Sequence, residues 1–172
     1  STPIKSSAAS DVYKRQVKYS IPEVPAIANA DANRLKQVFM NILDNALKYS
    51  RSPSKIFVKA EFTKLDNQNF VKIAIADQGC GISKEDLPHV KEKFYKANVS
   101  VRGSGIGLAV TNEIVNLHHG KLEIDSQEGK GTLVTIYLPV ENSPTKNELN
   151  DMKQNETVQD AEINEGVEIN KN

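Results

Sequence analysis

Two distant clusters in this 172-residue chain bring together side chains that could grip a phosphorylated ligand. The first is Asn41-Ile-Leu-Asp-Asn45-Ala-Leu-Lys48-Tyr49. At 3.6 residues per turn, Gln37, Asn41, Asn45 and Lys48 fall within an arc of about 80° beside an apolar stripe. An amide oxygen is a hard, neutral ligand suited to Mg²⁺, which usually takes its other oxygens from water and substrate phosphates. Lys48, one turn on, can meet a phosphate as a point charge. The second cluster is Asp77-Gln-Gly79-Cys-Gly81-Ile82, followed by Gly103-Ser-Gly105-Ile-Gly107-Leu108. A carboxylate repels phosphate but accepts a hydrogen bond from an exocyclic amine such as that of adenine. Glycines beside it permit positive φ and the close approach of a flat ligand. The later glycines open a helix, whose free N–H groups and dipole favour an anion. Together these groups suit a metal–nucleotide complex. A Walker loop is absent, and the glycine run does not follow a strand within a βαβ unit, which argues against a dinucleotide-binding Rossmann site.

The elements that must hold these residues are legible from periodicity. Asp31 can cap a helix running to Tyr49, with Leu35, Val38, Phe39, Ile42, Leu43, Ala46 and Leu47 as its core stripe. Residues 55–62 and 71–76 alternate as strands, joined through the turn-rich Asp66-Asn-Gln-Asn69. A second long helix spans 105–118, and residues 122–124 and 132–138 form a hairpin across Gly129-Lys-Gly131. Short extended pieces are expected near 17–19 and 26–29. The sum is an α/β (α+β) two-layer sandwich, a mixed sheet with helices on one face.

Composition narrows the classes. Lys+Arg and Asp+Glu both number 22, which gives no sign of a nucleic-acid partner. Cys80 is the single cysteine, so no intramolecular disulfide is possible, and a reducing, cytoplasmic setting is expected. No apolar run has membrane-span length, and direct membrane contact is not expected in this segment. Residues 1–16 lack apolar periodicity and read as an unstructured or non-native leader. Residues 141–172 carry eight Asp/Glu against three Lys and no aromatics, which reads as a disordered acidic tail. The domain proper is 17–140.

The order Asn41…Asn45, Asp77-x-Gly79-x-Gly81, Lys93-Phe94-Tyr95-Lys96-Ala97, Gly103-x-Gly105-x-Gly107-Leu108 and Gly129-Lys-Gly131-Thr132 resembles the N, G1, F, G2 and G3 boxes. Those boxes mark the ATP-binding catalytic domain of bacterial sensor histidine kinases, with the Bergerat (GHKL) fold and a mobile ATP lid. The resemblance implies ATP and Mg²⁺ as ligands. Asn45 would hold the metal with Asn41 beside it, Lys48 would meet phosphate, and these three would form the catalytic group. Tyr49 would pack near the nucleotide and Asp77 would read the adenine amine. Gly79, Gly81 and Ile82 would shape that end, and Thr132 would support it. Lys96 and Arg102 would neutralise phosphate charge from the lid. Gly103, Ser104, Gly105, Ile106, Gly107 and Leu108 would close on the phosphates.

Departures from the pattern also inform. Lys91 stands where the F box usually carries an aromatic, and His118-His119-Gly120 where His-Gly-Gly is commoner. Related hydrolysing ATPases usually place a Glu where Asn41 stands; an amide cannot act as a general base, which suits an enzyme that keeps its γ-phosphate for an acceptor. None of His89, His118 and His119 sits in the family's phosphoacceptor pattern. The resemblance therefore implies a monomeric catalytic half. Its phosphate would go to a histidine on a separate dimerisation domain and, through that domain, to a response regulator. A serine kinase of the anti-sigma-factor type and a non-catalytic ATP-sensing module of the same fold are the alternatives.

Overall fold

The structure, a computed structural model, describes residues 15–96, 105–155 and 157–168. Five strands form one mixed sheet in the order β1-β2-β3-β5-β4: β1 (Arg15–Ser20), β2 (Ser54–Leu65), β3 (Gln68–Asp77), β4 (Lys121–Gln127) and β5 (Gly131–Pro139). Strand β1 runs parallel to β2, and every other pairing is antiparallel. Arg15 and Gln16 pair with Ser54 and Lys55, so the expected leader 1–16 gives up its last two residues to the sheet. The hairpin from β2 to β3 turns on Asp66 and Asn67 alone, both at positive φ (46° and 67°), as a right-twisted two-residue turn requires. Both strands therefore run further than their apolar alternation suggests. The stretch at 26–29 is not a strand; Asn142 ties it down by accepting from Ile27 N and donating to Pro25 O.

Helix α1 (Ala32–Tyr49) begins where Asp31 accepts from Arg34 N at 3.0 Å. Helix α2 (Gly107–Leu117) lies beside it on the same face of the sheet. Val38, Ile42 and Ala46 of α1 and Ile114 and Val115 of α2 form one core with Ile56, Val71, Ile75, Leu122, Val134, Ile136 and Leu138. His118 binds the two helices at their far ends. Its Nε2 accepts from Asp31 N at 3.0 Å while Nδ1 lies 2.8 Å from Ile114 O, which fixes the proton on Nδ1 because a carbonyl can only accept.

The expected disordered tail is corrected by two helices, α3 (Lys146–Gln154) and α4 (Val158–Glu168). Composition alone hid their start signals. Thr145 and Glu148 form a reciprocal capping box, and Thr157 and Asp160 repeat the arrangement with an aspartate. Ile163 and Val167, one turn apart, pack with Phe57, Ala74, Ala76 and Leu133 into a second apolar cluster. Those sheet residues point opposite to the main core, so the sandwich carries a helix on its other face too, over β1, β2 and β3. Gly166 allows this contact, since a Cβ there would stand 2.5 Å from the Phe57 ring.

Candidate functional site

A cavity of about 250 Å³ opens between α1, the ends of β3 and β5, and the N-terminus of α2. Its lining contains Asn41, Asn45, Lys48, Tyr49, Asp77, Gly81, Ile82, Lys96, Gly105, Gly107, Leu108 and Thr132. The fold thus brings together residues from both clusters that the sequence singled out. Gly79 and Ile106 are not in the lining: Gly79 acts through its backbone, and Ile106 is the N-cap of α2. Arg102, Gly103 and Ser104 lie outside the described residues.

Helix α1 presents its polar stripe to the cavity because its apolar stripe is taken up by the sheet. Asp44 lies on that wall as well, at the edge of the arc formed by Asn41, Asn45 and Lys48. Among the described residues no three His, Cys, Asp or Glu side chains gather to hold a metal. The donors on offer along this helix face are the amide oxygens of Asn41 and Asn45 and the carboxylate of Asp44, and that set fits Mg²⁺ held chiefly by phosphate and water oxygens.

At the other end of the cavity, β3 terminates in Asp77, only 8% exposed. Its Oδ1 accepts from Gly79 N at 2.8 Å and from Thr132 N at 3.3 Å. Burial raises its pKa from 3.8 to about 6 and outweighs both backbone hydrogen bonds, which act the other way. Thr132 thus supports Asp77 with its backbone, while its hydroxyl is bonded to Ser126 Oγ at 2.9 Å.

Ser126, 2% exposed, was missed by sequence reasoning, because a serine in a strand carries no signal of its own. Its Oγ accepts from Ile82 N at 2.8 Å and donates to Gly131 O at 2.8 Å, tying the loop after β3 to the β4–β5 hairpin. Gly129 N adds a second tie, donating to Cys80 O at 2.7 Å. The same stitching gives the glycines a structural reason of their own. Gly81 sits at φ +68° with Gln127 O only 2.0 Å from where a Cβ would be. Gly79 is crowded in the same way by Tyr49 O and Asp77 Oδ1. Close approach of backbone to backbone excludes side chains there.

The cavity's remaining walls are apolar or half-polar: Ile42, Ala46, Ile75, Val90, Ile124, Val134, Cys80 and Tyr95. In sequence Cys80 and Tyr95 fall inside two of the boxes without a role of their own, and the other six read as ordinary core. Tyr95 donates its phenol to Asp86, which also accepts from Ser83 Oγ at 2.8 Å; its ring lies 5.3 Å from that of His89. Lys91, the departure from an aromatic, reaches Leu122 O at 2.7 Å and so anchors this segment to β4 by a hydrogen bond. Phe94 N donates to Gly105 O at 2.9 Å, joining the two ends of the intervening segment. Gly105, at φ +72°, has no room for a Cβ, which would lie 2.9 Å from Phe94 C.

A mixed sheet with paired helices, a buried carboxylate at one end of the cavity and an amide-lined helix along its wall define a nucleotide-binding α/β sandwich. A model of the Histidine kinase-, DNA gyrase B-, and HSP90-like ATPase family matches residues 30–142, and the chain belongs to that family. It is 39% identical over 120 residues to Sporulation kinase E of Bacillus subtilis, covering 70% of this chain and 15% of that protein. It is 36% identical over 129 residues to the Non-motile and phage-resistance protein of Caulobacter vibrioides, covering 73% of this chain and again 15% of the relative. The chain thus spans less than a sixth of either relative's length. Among solved structures, the mycobacterial sensor histidine kinase MprB superposes with a TM-score of 0.63 at 28% identity, over 76% of this chain and 87% of that one. The matched region stops before α3 and α4 begin.

Proposed function

We propose that this chain is the ATP-binding catalytic domain of a sensor histidine kinase, which binds Mg·ATP and donates the γ-phosphate to a histidine on a separate domain. The observation that carries it is the pairing, across one cavity, of the held Asp77 carboxylate with the Asn41, Asn45 and Lys48 stripe. Asp77 accepts from the adenine amine, and the loop that Ser126 ties down keeps the carboxylate in place. Asn45, with Asn41 beside it, offers amide oxygen to Mg²⁺, and Lys48 meets phosphate. The metal supplies charge neutralisation on the phosphate oxygens. Lys96 and Arg102 add positive charge from the lid. Gly103, Ser104, Gly105, Ile106, Gly107 and Leu108 offer backbone and helix N-terminus to the phosphates. Tyr49, Gly79, Gly81, Ile82 and Thr132 shape the adenine end. With an amide at position 41, the place where related hydrolysing ATPases carry a Glu holds no base to activate water, so the γ-phosphate is kept for an acceptor side chain. Positioning and charge neutralisation supply most of what such a transfer needs.

The acceptor is a histidine-bearing dimerisation domain, which passes the phosphate to a response regulator in the cytoplasm. No helix among the described residues is long and apolar enough to cross a membrane. The test is to incubate the chain with such a domain and [γ-³²P]ATP. Acid-labile label on the partner is the expected result. Acid-stable label would assign a serine kinase instead, and absence of transfer with intact binding would assign an ATP-sensing module.

A further inference from the structure

Thr111 has no exposed surface, yet it sits on the inner side of α2 among Ala109, Ile114 and Val115. A hydroxyl in such a place costs stability unless it is hydrogen-bonded. Its partner is Asn41, whose Nδ2 lies 3.4 Å from Thr111 Oγ1 and also 3.4 Å from Gly107 O. The carbonyl decides how the amide is turned. Gly107 O can only accept, so the Asn41 NH₂ must face α2; the flipped amide would set two oxygens against each other. Oδ1 is then the polar atom that Asn41 offers to the cavity it lines.

We propose that Thr111 is a positioning residue, which together with the Gly107 carbonyl holds the Asn41 amide so that its oxygen, not its nitrogen, is presented to the cation of a metal–nucleotide complex. This rests on the reading of the cavity as an Mg·ATP site. Thr111 does not line the cavity and touches no ligand, and valine would match its shape while removing the acceptor. Partners that orient a metal ligand from behind are typically worth 10–100-fold in metal affinity.

The experiment measures the affinity of the whole chain for a fluorescent ATP analogue, with Mg²⁺ and with EDTA, for the wild type, Thr111→Val and Thr111→Ser. Thr111→Val is expected to weaken binding about tenfold with Mg²⁺ and to leave binding in EDTA unchanged. Thr111→Ser keeps the hydroxyl and is expected to keep the Mg²⁺-dependent increment. An unchanged increment in Thr111→Val, or an equal loss with and without Mg²⁺, would overturn the positioning role alone. A wild-type chain that binds no Mg·ATP would overturn the reading of the cavity and this inference with it. Should Thr111→Val not fold, hydrogen exchange decides in the wild type. The Asn41 side-chain amide protons should exchange at least about tenfold slower than those of a free amide, since each bond must open first; exchange at the free rate would overturn the proposal.

Discussion

Asp77 carries opposing demands. Its folded pKa of about 6 against 3.8 when unfolded means that the folded chain holds the proton more tightly over that interval. The carboxylate therefore costs the empty fold about 3 kcal/mol at pH 7, a cost that shrinks as pH falls through 6 and is gone only below the unfolded value of 3.8. Asp77→Asn keeps the acceptor for Gly79 and Thr132 without the charge. We expect it to melt higher than the wild type at pH 7, with the advantage closing toward pH 4; a lead that is independent of pH in thermal melts would contradict this account. Binding should move the other way. An adenine amine is held more strongly by the ionised acceptor, so wild-type ATP affinity should fall below pH 6, whereas Asp77→Asn should bind about a hundredfold more weakly with no such pH dependence. Titration calorimetry at pH 5 and pH 8 separates the two. Asp77 could be singled out in sequence because a carboxylate ending an apolar strand before glycines is conspicuous. Ser126 could not, since its importance lies in what Ile82, Gly131 and Thr132 bring to it from elsewhere in the chain.

At the level of elements, α1 was readable almost to the residue. Cap, polar stripe and apolar stripe agree along a single helix, except that Leu47, expected in the core stripe, is exposed. Helix α4 was not readable from composition, because its amphipathic signal is two apolar side chains and a glycine. What makes it a helix that packs is Phe57, more than a hundred residues earlier. Gly166→Ala is expected to push a methyl group into that ring and destabilise the fold by about 1–3 kcal/mol. Ile163→Ala should cost about 2–5 kcal/mol by leaving a cavity. Denaturant titration would register both. Because α4 packs on the face of the sheet away from the cavity, neither change should alter ATP affinity while the chain is folded. A parallel fall in affinity at low denaturant would mean that the two faces are coupled through the sheet. Gly105→Ala is the contrast: it strains the Phe94–Gly105 junction beside the cavity and is expected to weaken nucleotide binding by tenfold or more with a smaller effect on stability.

At the scale of the whole molecule, the strand order was harder to foresee than the strands. Alternation shows which residues share a face, but it does not say that β5 lies between β3 and β4, nor that β1 runs parallel to β2 at the edge. The parallel edge has a consequence for how the domain can be joined to others. Arg15 is level with Ser54, two rungs beyond Ile56, and Ile56 is level with Asp77. The chain therefore enters the sheet at the same end at which β3 delivers its carboxylate, two strand spacings or about 10 Å away. Arg15 thus stands at the Asp77 end of the sheet and not at the opposite pole. A tether of a few residues there would keep its cargo within a short swing of the bound nucleotide, whereas the same tether at Leu65 would hold it a strand's length away.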